Sequence, residues 1–200
     1  MNAKPIHLFQ DYYIKEVSLA TLDAFQMENF ISVFPNQSYF RPESVLNEEE
    51  LVRFNELKEN FRSNDYRLNL LYYCKDEVIG WHRGYQENVD TFYMQNTGIL
   101  PAHQNKGVYS KSLPFILNLL KKAGMQRVTS KHIVSNNPVI VSKLKAGFCI
   151  SGFEISDKYG MMLNMVYLFN PKRKEVFDYR TGVDLKSPEL KEYFFKNQIT

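Results

Sequence analysis

The chain has 200 residues, a hydrophobic fraction of 44% and mixed charges that sum to a formal net charge of +3. This size and composition are typical of one globular domain with a sizeable core, and so small a net charge does not favour a nucleic-acid-binding protein. No stretch has the length and apolarity of a transmembrane helix, and residues 1–10 do not resemble a signal peptide. We therefore predict a cytoplasmic protein whose partners include neither nucleic acid nor membranes.

Helical patterns come first along the chain. Residues 21–33 place apolar side chains near helical spacing, and the pattern ends before Pro35. A second helix is predicted to begin at Asn47, a favourable N-cap residue that is followed by acidic residues. These two helices make up most of residues 1–65.

Strand patterns follow the helices. Residues 67–74 and 77–86 are rich in β-branched and aromatic side chains, and the tight polar turn between them predicts a hairpin. Residues 91–100 form a third predicted strand. Thr97 and Gly98 within it indicate a bulge or a close approach of two backbones.

The apolar period changes to that of a helix from Gly107, and Gly124 ends this helix. Pro114 lies inside it and predicts a kink or a loosened first turn. The remaining predicted elements are a strand at 127–134, a short helix at 137–146, a hairpin whose turn is 157–160, and a docking helix at 187–197. This order predicts an α/β or α+β domain with a mixed central sheet flanked by helices.

Cysteines and basic residues give no strong motif. Cys74 and Cys149 are isolated and lack metal-ligand spacing, so we interpret them as buried thiols in a reducing compartment and predict no metal site. The basic run at residues 172–174 is interpreted as a solvated turn rather than a phosphate-binding patch.

The segment PAHQNKGVYSKSL, residues 101–113, connects a buried strand to a helix. The first amides of a helix have no internal partners and lie at the positive end of its dipole, so they can bind phosphates. Gly107 leaves room for a close approach, and Lys106 adds positive charge. The alternative is that the glycine serves backbone geometry alone.

Two motifs together resemble the GNAT superfamily of acyl-CoA N-acyltransferases. QNKGVY at residues 104–109 is similar to the family's phosphate loop, Q/R-x-x-G-x-G/A, and Pro101 precedes it as in many relatives. Asn136, with the later KAGF at 145–148, is similar to the family's second segment. The resemblance covers roughly residues 66–170 and implies a GNAT-like fold.

The resemblance implies direct transfer of an acetyl or short acyl group from acetyl-CoA, the co-substrate, to a primary amine of a small molecule or peptide. It divides the chain into a domain at 1–170, with acceptor-side helices at 1–65 and an acyl-CoA-binding core at 66–170, and an extension at 171–200. A monomer or homodimer is expected. The implied coenzyme A-binding residues are Ile99, Leu100, Gln104, Asn105, Lys106, Gly107, Val108, Tyr109, Ser110 and Asn136.

Proton transfer is where the chain departs from the family. The family's usual tyrosine is replaced by Lys143, which we expect to be a charged surface or phosphate-contacting lysine, and the strand at 91–100 carries no glutamate base. His82 has the best claim as the base because its strand would line the acceptor cleft, with Tyr85 and Tyr93 as proton carriers. The alternative is that bulk water takes the proton through a polar channel.

The other two candidate histidines have structural interpretations. His132 is expected to be a satisfied, half-buried side chain, and His103 to belong to the loop surface. Because the usual proton-transfer groups are missing, a non-catalytic acyl-CoA-binding or sensor module is the alternative function.

Overall fold

The computed structural model of the chain describes residues 4–35, 47–49, 52 and 66–196. These residues form a mixed sheet with helices packed on it, as the sequence predicted. The strands are β1 (Ile6–Phe9), β2 (Tyr12–Glu16), β3 (Arg67–Cys74), β4 (Glu77–Gln86), β5 (Thr91–Ile99), β6 (Arg127–Ile133), β7 (Cys149–Ser156) and β8 (Gly160–Leu168). The helices are α1 (Leu19–Val33), α2 (Val108–Lys122), α3 (Asn137–Lys145), α4 (Pro171–Arg180) and α5 (Pro188–Lys196), with a 3₁₀ turn at Pro101–His103.

The eight strands lie in the order β1-β2-β3-β4-β5-β6-β8-β7. All neighbouring pairs are antiparallel except β5 and β6, which run parallel. That parallel pairing covers only Thr91–Tyr93 of β5 and Arg127–Thr129 of β6. Beyond these three residues the two strands separate, and the sheet opens at its centre.

Helices cover both faces of the sheet. The alternation of side chains along β3 sends Leu68 and Leu70 to one face and Leu71 to the other. The first face is covered by α2, whose Leu113 and Ile116 are fully buried there. On the second face, α1 packs its side chains around Leu71 and the buried ring of Trp81. The cluster on the first face also contains Val128 of β6 and Met165 of β8, so it extends to both sides of the central opening.

Two strands at the N-terminus were not predicted. β1 and β2 are short and form a hairpin through Gln10, a non-glycine residue with a φ of 46°. Their sequence contains neither the Asn-Gly nor the Gly-X pair that usually marks such a turn. The predicted helix from Asn47 lies almost wholly outside the described residues, while α1 confirms the helix predicted at 21–33.

The region of the third strand and the following helix differs from prediction in detail. The bulge in β5 falls at Gln95, opposite Arg83 and Gly84, while Gly98 provides the close approach instead. α2 continues through Pro114 without interruption. The carbonyl that loses a hydrogen bond there belongs to Ser110, which is exposed and can be hydrated.

The C-terminal region also corrects the prediction. The basic run at 172–174 begins helix α4 rather than forming a turn, because Asn170 caps that helix by accepting from two backbone amides. Arg173 pairs with Asp90 at 2.9 Å. The two cysteines are half-buried rather than buried. Within the described part of the chain, no helix combines the length and apolarity that crossing a membrane would require.

Candidate active site

The separation of β5 from β6 opens a cavity of about 980 Å³. One end is formed by the loop before α2, including Gly107, and the other by α1 side chains such as Phe30. Between these ends run the free edge of β5 and the inward face of α3. A cavity of this size, with a polar loop at one end, is large enough for an extended ligand and a second, smaller one.

The loop before α2 has the geometry of an anion site. Asn105 and Gly107 have φ angles of 59° and 79°, so the chain curls around Lys106, which is exposed. Gln104 Nε2 anchors the loop by donating to the carbonyl of Ile99 at 2.9 Å. No side chain of the described residues caps α2, so the amides of its first turn have no helix partner. A Cβ at position 107 would meet nothing closer than 3.7 Å, so the space beside the loop is open. We call this loop and the first-turn amides that follow it, residues 104–110, the cradle.

The free edge of β5 begins just before this loop. Leu100 N–H donates to the carbonyl of Ile79 on β4 at 2.8 Å, so it is not available to a ligand. Alternate residues of an antiparallel strand bond to the same neighbour, and the N–H groups of Ile99 and Thr97 therefore face the opposite side. That side is the opening, since β6 has separated there. Of Ile99 and Leu100, both implied by the resemblance to bind coenzyme A, only Ile99 therefore has an N–H that faces the opening.

Asn136 lies at the start of α3 on the opposite wall of the cavity. It occupies the N-cap position, yet its side chain makes no capping hydrogen bond within the described structure. The side chain is half-buried and lines the cavity. Its amide therefore borders the cavity without capping the helix.

Tyr109 stands where the family motif has a small residue. Its half-buried ring packs against the main apolar core, and it also lines the cavity. Burial raises the pKa of its hydroxyl well above the ordinary value, so this hydroxyl is not a ready acid or base. The neighbouring Val108 is buried and Ser110 is exposed.

Lys143 is not at the surface, contrary to the sequence prediction. Its side chain is 1% exposed and lines the cavity. It follows Ile140 by three residues on the face of α3 that turns toward the sheet, while Val141 and Leu144 are exposed. Burial lowers the pKa of Lys143 to about 7. Hydrophobic periodicity could not reveal this, because the helix buries a lysine and exposes a leucine.

His82 does not line the cavity, and the expectation that it faces the acceptor cleft is wrong. It is fully buried, and its Nδ1 lies 2.7 Å from Thr97 Oγ1. Burial, together with the charge of Lys143, lowers its pKa to about 3. Tyr85 is also outside the cavity lining and packs edge-on against Tyr93, which does line it.

The other two histidines differ from each other. His132 lines the cavity, is half-buried as expected, and has its Nε2 3.1 Å from Ser130 Oγ. Burial lowers the pKa of His132 to about 3. His103 also lines the cavity but is not a loop-surface side chain, since it is 13% exposed and its Nδ1 lies 3.2 Å from the hydroxyl of Tyr12.

A polar cluster at the α1 end of the cavity was not found from the sequence. Arg83 Nη1 donates to Asp23 Oδ1 at 3.0 Å and to Gln26 Oε1 at 2.8 Å. Asn96 accepts a hydrogen bond from Trp81 Nε1 at 2.6 Å. The Arg83 contacts join α1 to β4, elements far apart in sequence, so no local pattern could have indicated them.

The sequence model of the acetyltransferase (GNAT) family matches residues 27–148, more than half of the chain. The chain belongs to the GNAT acetyltransferase family. GNAT enzymes take their acyl group from acetyl-CoA, so acetyl-CoA as the co-substrate is confirmed. The cradle before α2 and the opening between β5 and β6 fit a ligand with phosphates at one end and an extended arm.

Solved structures share this fold at low sequence identity. RimL, the ribosomal L7/L12 alpha-N-protein acetyltransferase in complex with coenzyme A, has a TM-score of 0.60 and 16% identity over 82% of this chain and 98% of its own. The structure of yncA from Salmonella typhimurium with its cofactor acetyl-CoA has a TM-score of 0.58 and 14% identity, over 80% and 95%. A mutant of the spermidine N-acetyltransferase SpeG from Vibrio cholerae has the same TM-score and identity, over 81% and 98%. A sequence search of curated proteins finds no match.

Proposed function

We propose that this GNAT protein transfers an acetyl group from acetyl-CoA to the primary amine of a small molecule or peptide by direct attack. The observation that carries the proposal is the opening between β5 and β6, which joins the amide cradle before α2 to a cavity that continues to α1. We infer that each end of the cavity holds one of the two reactants. This is the geometry that a direct transfer requires, since both reactants must be bound together.

The cradle end would hold acetyl-CoA, which supplies an activated acyl thioester. The first-turn amides of α2, together with Lys106, would bind its phosphates. The Ile99 N–H on the free edge of β5 would donate to the thioester oxygen, where negative charge develops. Asn136 on α3 would bind the extended arm from the other wall.

The α1 end would hold the acceptor. RimL acts on a ribosomal protein and SpeG on spermidine, so GNAT-fold enzymes accept both protein and small-molecule amines. In this chain the acceptor end combines apolar side chains such as Phe30 and Phe34 with the Arg83 guanidinium. We infer that these side chains select the acceptor.

The alternative is a module with the same fold that binds acyl-CoA without turnover. The described cavity lining contains no Asp or Glu that would serve as a base, and this observation favours the alternative. The two functions share every expectation about coenzyme A binding. They differ only in whether an amine is acetylated.

The experiment is to measure free thiol released from acetyl-CoA with a panel of primary amines that includes a peptide with a free α-amino group, a polyamine and small amines. We expect one class to release thiol together with a product heavier by one acetyl group. Calorimetry on the same preparation measures acetyl-CoA binding independently. Binding without release for any amine supports the sensor module, and an absence of binding contradicts both functions.

A further inference from the structure

Lys143 is buried at the cavity wall without an acidic partner. Its Nζ lies 3.3 Å from Met94 Sδ and 4.4 Å from the centre of the Phe148 ring. Among the ion pairs of the described ranges, none includes Lys143. A thioether and an aromatic face stabilise an ammonium ion less than a carboxylate does. This environment therefore favours the neutral amine over the charged form.

The position of Lys143 is at the narrow end of the opening. Met94, which its Nζ contacts, directly follows Tyr93, the last β5 residue that pairs with β6. Asn136 and Lys143 are seven residues apart, two helical turns, and both line the cavity. The amine thus lies beside β5 at the narrow end of the opening, and the acyl donor would be bound along the free edge of the same strand.

The ionisable groups around Lys143 come from three strands, β4, β5 and β6. Burial, and after it the charge of Lys143, lowers the pKa of His82 on β4 and of His132 on β6 to about 3, so both are neutral at pH 7. The pKa of Tyr93 on β5 is raised to about 12 by burial. The ring nitrogens of His103 face Tyr12 and Glu77 instead. Lys143 is therefore the buried group of this wall that exchanges a proton near neutrality.

We propose that Lys143 is the proton shuttle of the transfer, taking the proton from the attacking amine and passing it to the departing sulfur. The acceptor enters as the neutral amine, and its nitrogen forms the new N–C bond and loses one proton to Nζ. The C–S bond breaks with its electron pair going to sulfur, and sulfur receives the proton from Nζ. Lys143 ends each cycle neutral, as it began, and no further base is needed. This inference rests on the proposed function.

The pKa of Lys143 suits both steps of the shuttle, accepting a proton from the amine and donating it to the sulfur. An ammonium with a pKa of about 7 donates readily to a thiolate whose thiol has a pKa of about 8.5, by analogy with cysteine. A neutral starting state also distinguishes this role from that of a simple acid. A shuttle is active when Nζ is unprotonated, so turnover rises as the pH rises through its pKa. A simple acid must begin protonated, so turnover would fall across the same range.

The test compares turnover against pH for the wild type, Lys143→Met and the control Lys121→Met. Lys121 is an exposed lysine in the last turn of α2, so its replacement removes the same charge away from the cavity. We expect Lys143→Met to lose roughly a hundredfold or more in kcat, with the donor KM nearly unchanged, and to lose the rising limb near pH 7. The ionisation of the acceptor amine also raises turnover with pH, but it does so equally in all three proteins. The test is therefore the difference between the pH profiles of the wild type and Lys143→Met.

Two measurements do not depend on turnover. In protein labelled at the ε-carbon of lysine, the NMR resonance absent from Lys143→Met should titrate near pH 7. Intact mass after incubation with acetyl-CoA alone should not change, and an acetyl group on Lys143 would overturn the shuttle by showing that Nζ acts as a nucleophile.

A wild-type turnover that falls above pH 7, or an unchanged turnover in Lys143→Met, also overturns the shuttle. If acetyl-CoA binds and is turned over in those cases, the proposed function stands without the shuttle.

Discussion

Gly107 is the residue on which the geometry of the cradle depends most directly. Its φ of 79° is a conformation that residues with a side chain adopt at a cost of about 1 kcal/mol, and its Cα faces open space. Gly124 provides a natural comparison, because its φ is 88° and its surroundings are also open. The two glycines carry similar backbone strain if they are replaced, but only Gly107 lies beside the free amides of α2.

We predict that Gly107→Glu abolishes coenzyme A binding, because it places a side chain and a negative charge beside the phosphates. Calorimetry with coenzyme A on the folded variant measures this. Gly124→Glu introduces the same side chain and a similar strain and should leave the affinity unchanged. Equal affinities in the wild type and Gly107→Glu would mean that the phosphates bind elsewhere.

Asn136 gives a second prediction for a single residue. Its side chain makes no capping bond, so Asn136→Ala should lower the free energy of unfolding by less than the ~1 kcal/mol typical of a lost N-cap. We expect coenzyme A affinity to fall roughly tenfold, the loss of about one hydrogen bond. Calorimetry and urea unfolding of the same variant separate the two effects. A lower stability with unchanged affinity would show that Asn136 is a structural residue.

The contact between β4 and β5 fixes the strand edge that faces the opening. A Cβ at Gly98 would lie 2.5 Å from the ring of Trp81, closer than atoms can approach. Trp81 is fully buried between β4 and α1, so its ring has nowhere to move. A glycine at position 98 therefore allows the two strands and α1 to pack together.

At the scale of these elements, we predict that Gly98→Ala lowers the free energy of unfolding by about 1–3 kcal/mol through overpacking. Urea denaturation measures the change. The same substitution in a Trp81→Phe background should be less costly, because the smaller ring leaves room for the methyl group. An equal cost in both backgrounds would assign the effect to the strand backbone instead.

At the scale of the whole molecule, the C-terminal helices are joined to the sheet. Arg173 on α4 pairs with Asp90, just before β5, at 2.9 Å. Leu185, between α4 and α5, is 4% exposed. We keep the division at residue 170 as a proposal, in which residues 171–200 form an extension that stabilises the domain without forming part of the coenzyme A site.

We predict that a chain ending at residue 170 unfolds at a lower temperature than the full chain, because it loses the burial of Leu185, worth roughly 2 kcal/mol, and an ion pair worth less than about 1 kcal/mol. Its coenzyme A affinity should not change, since the cradle and cavity walls remain. Thermal unfolding and calorimetry measure the two effects. Leu185→Ala in the full chain should reproduce most of the loss in stability. A truncated chain that no longer binds coenzyme A would place the extension within the functional unit.

The amino-acid sequence alone determined the order of most elements, the mixed sheet, the family and the loop at residues 104–109. These are local properties: hydrophobic period, glycine and proline positions, and a short motif whose function depends on backbone amides rather than on distant side chains. The amide cradle could therefore be predicted before any tertiary contact was known. The hairpin of β1 and β2 could not, because two strands this short have little local preference and are stabilised by pairing with β3.

Only the tertiary structure decided which ionisable groups face the cavity. His82 was expected in the acceptor cleft but is buried against Thr97 of β5, and Lys143 was expected at the surface but is buried on the cavity wall. Exposure and pKa depend on the solvent removed by all neighbouring elements together, and for Lys143 those neighbours include Met94, 49 residues earlier. A sequence motif specifies the backbone of this site, whereas its proton chemistry depends on how distant elements pack around one amine.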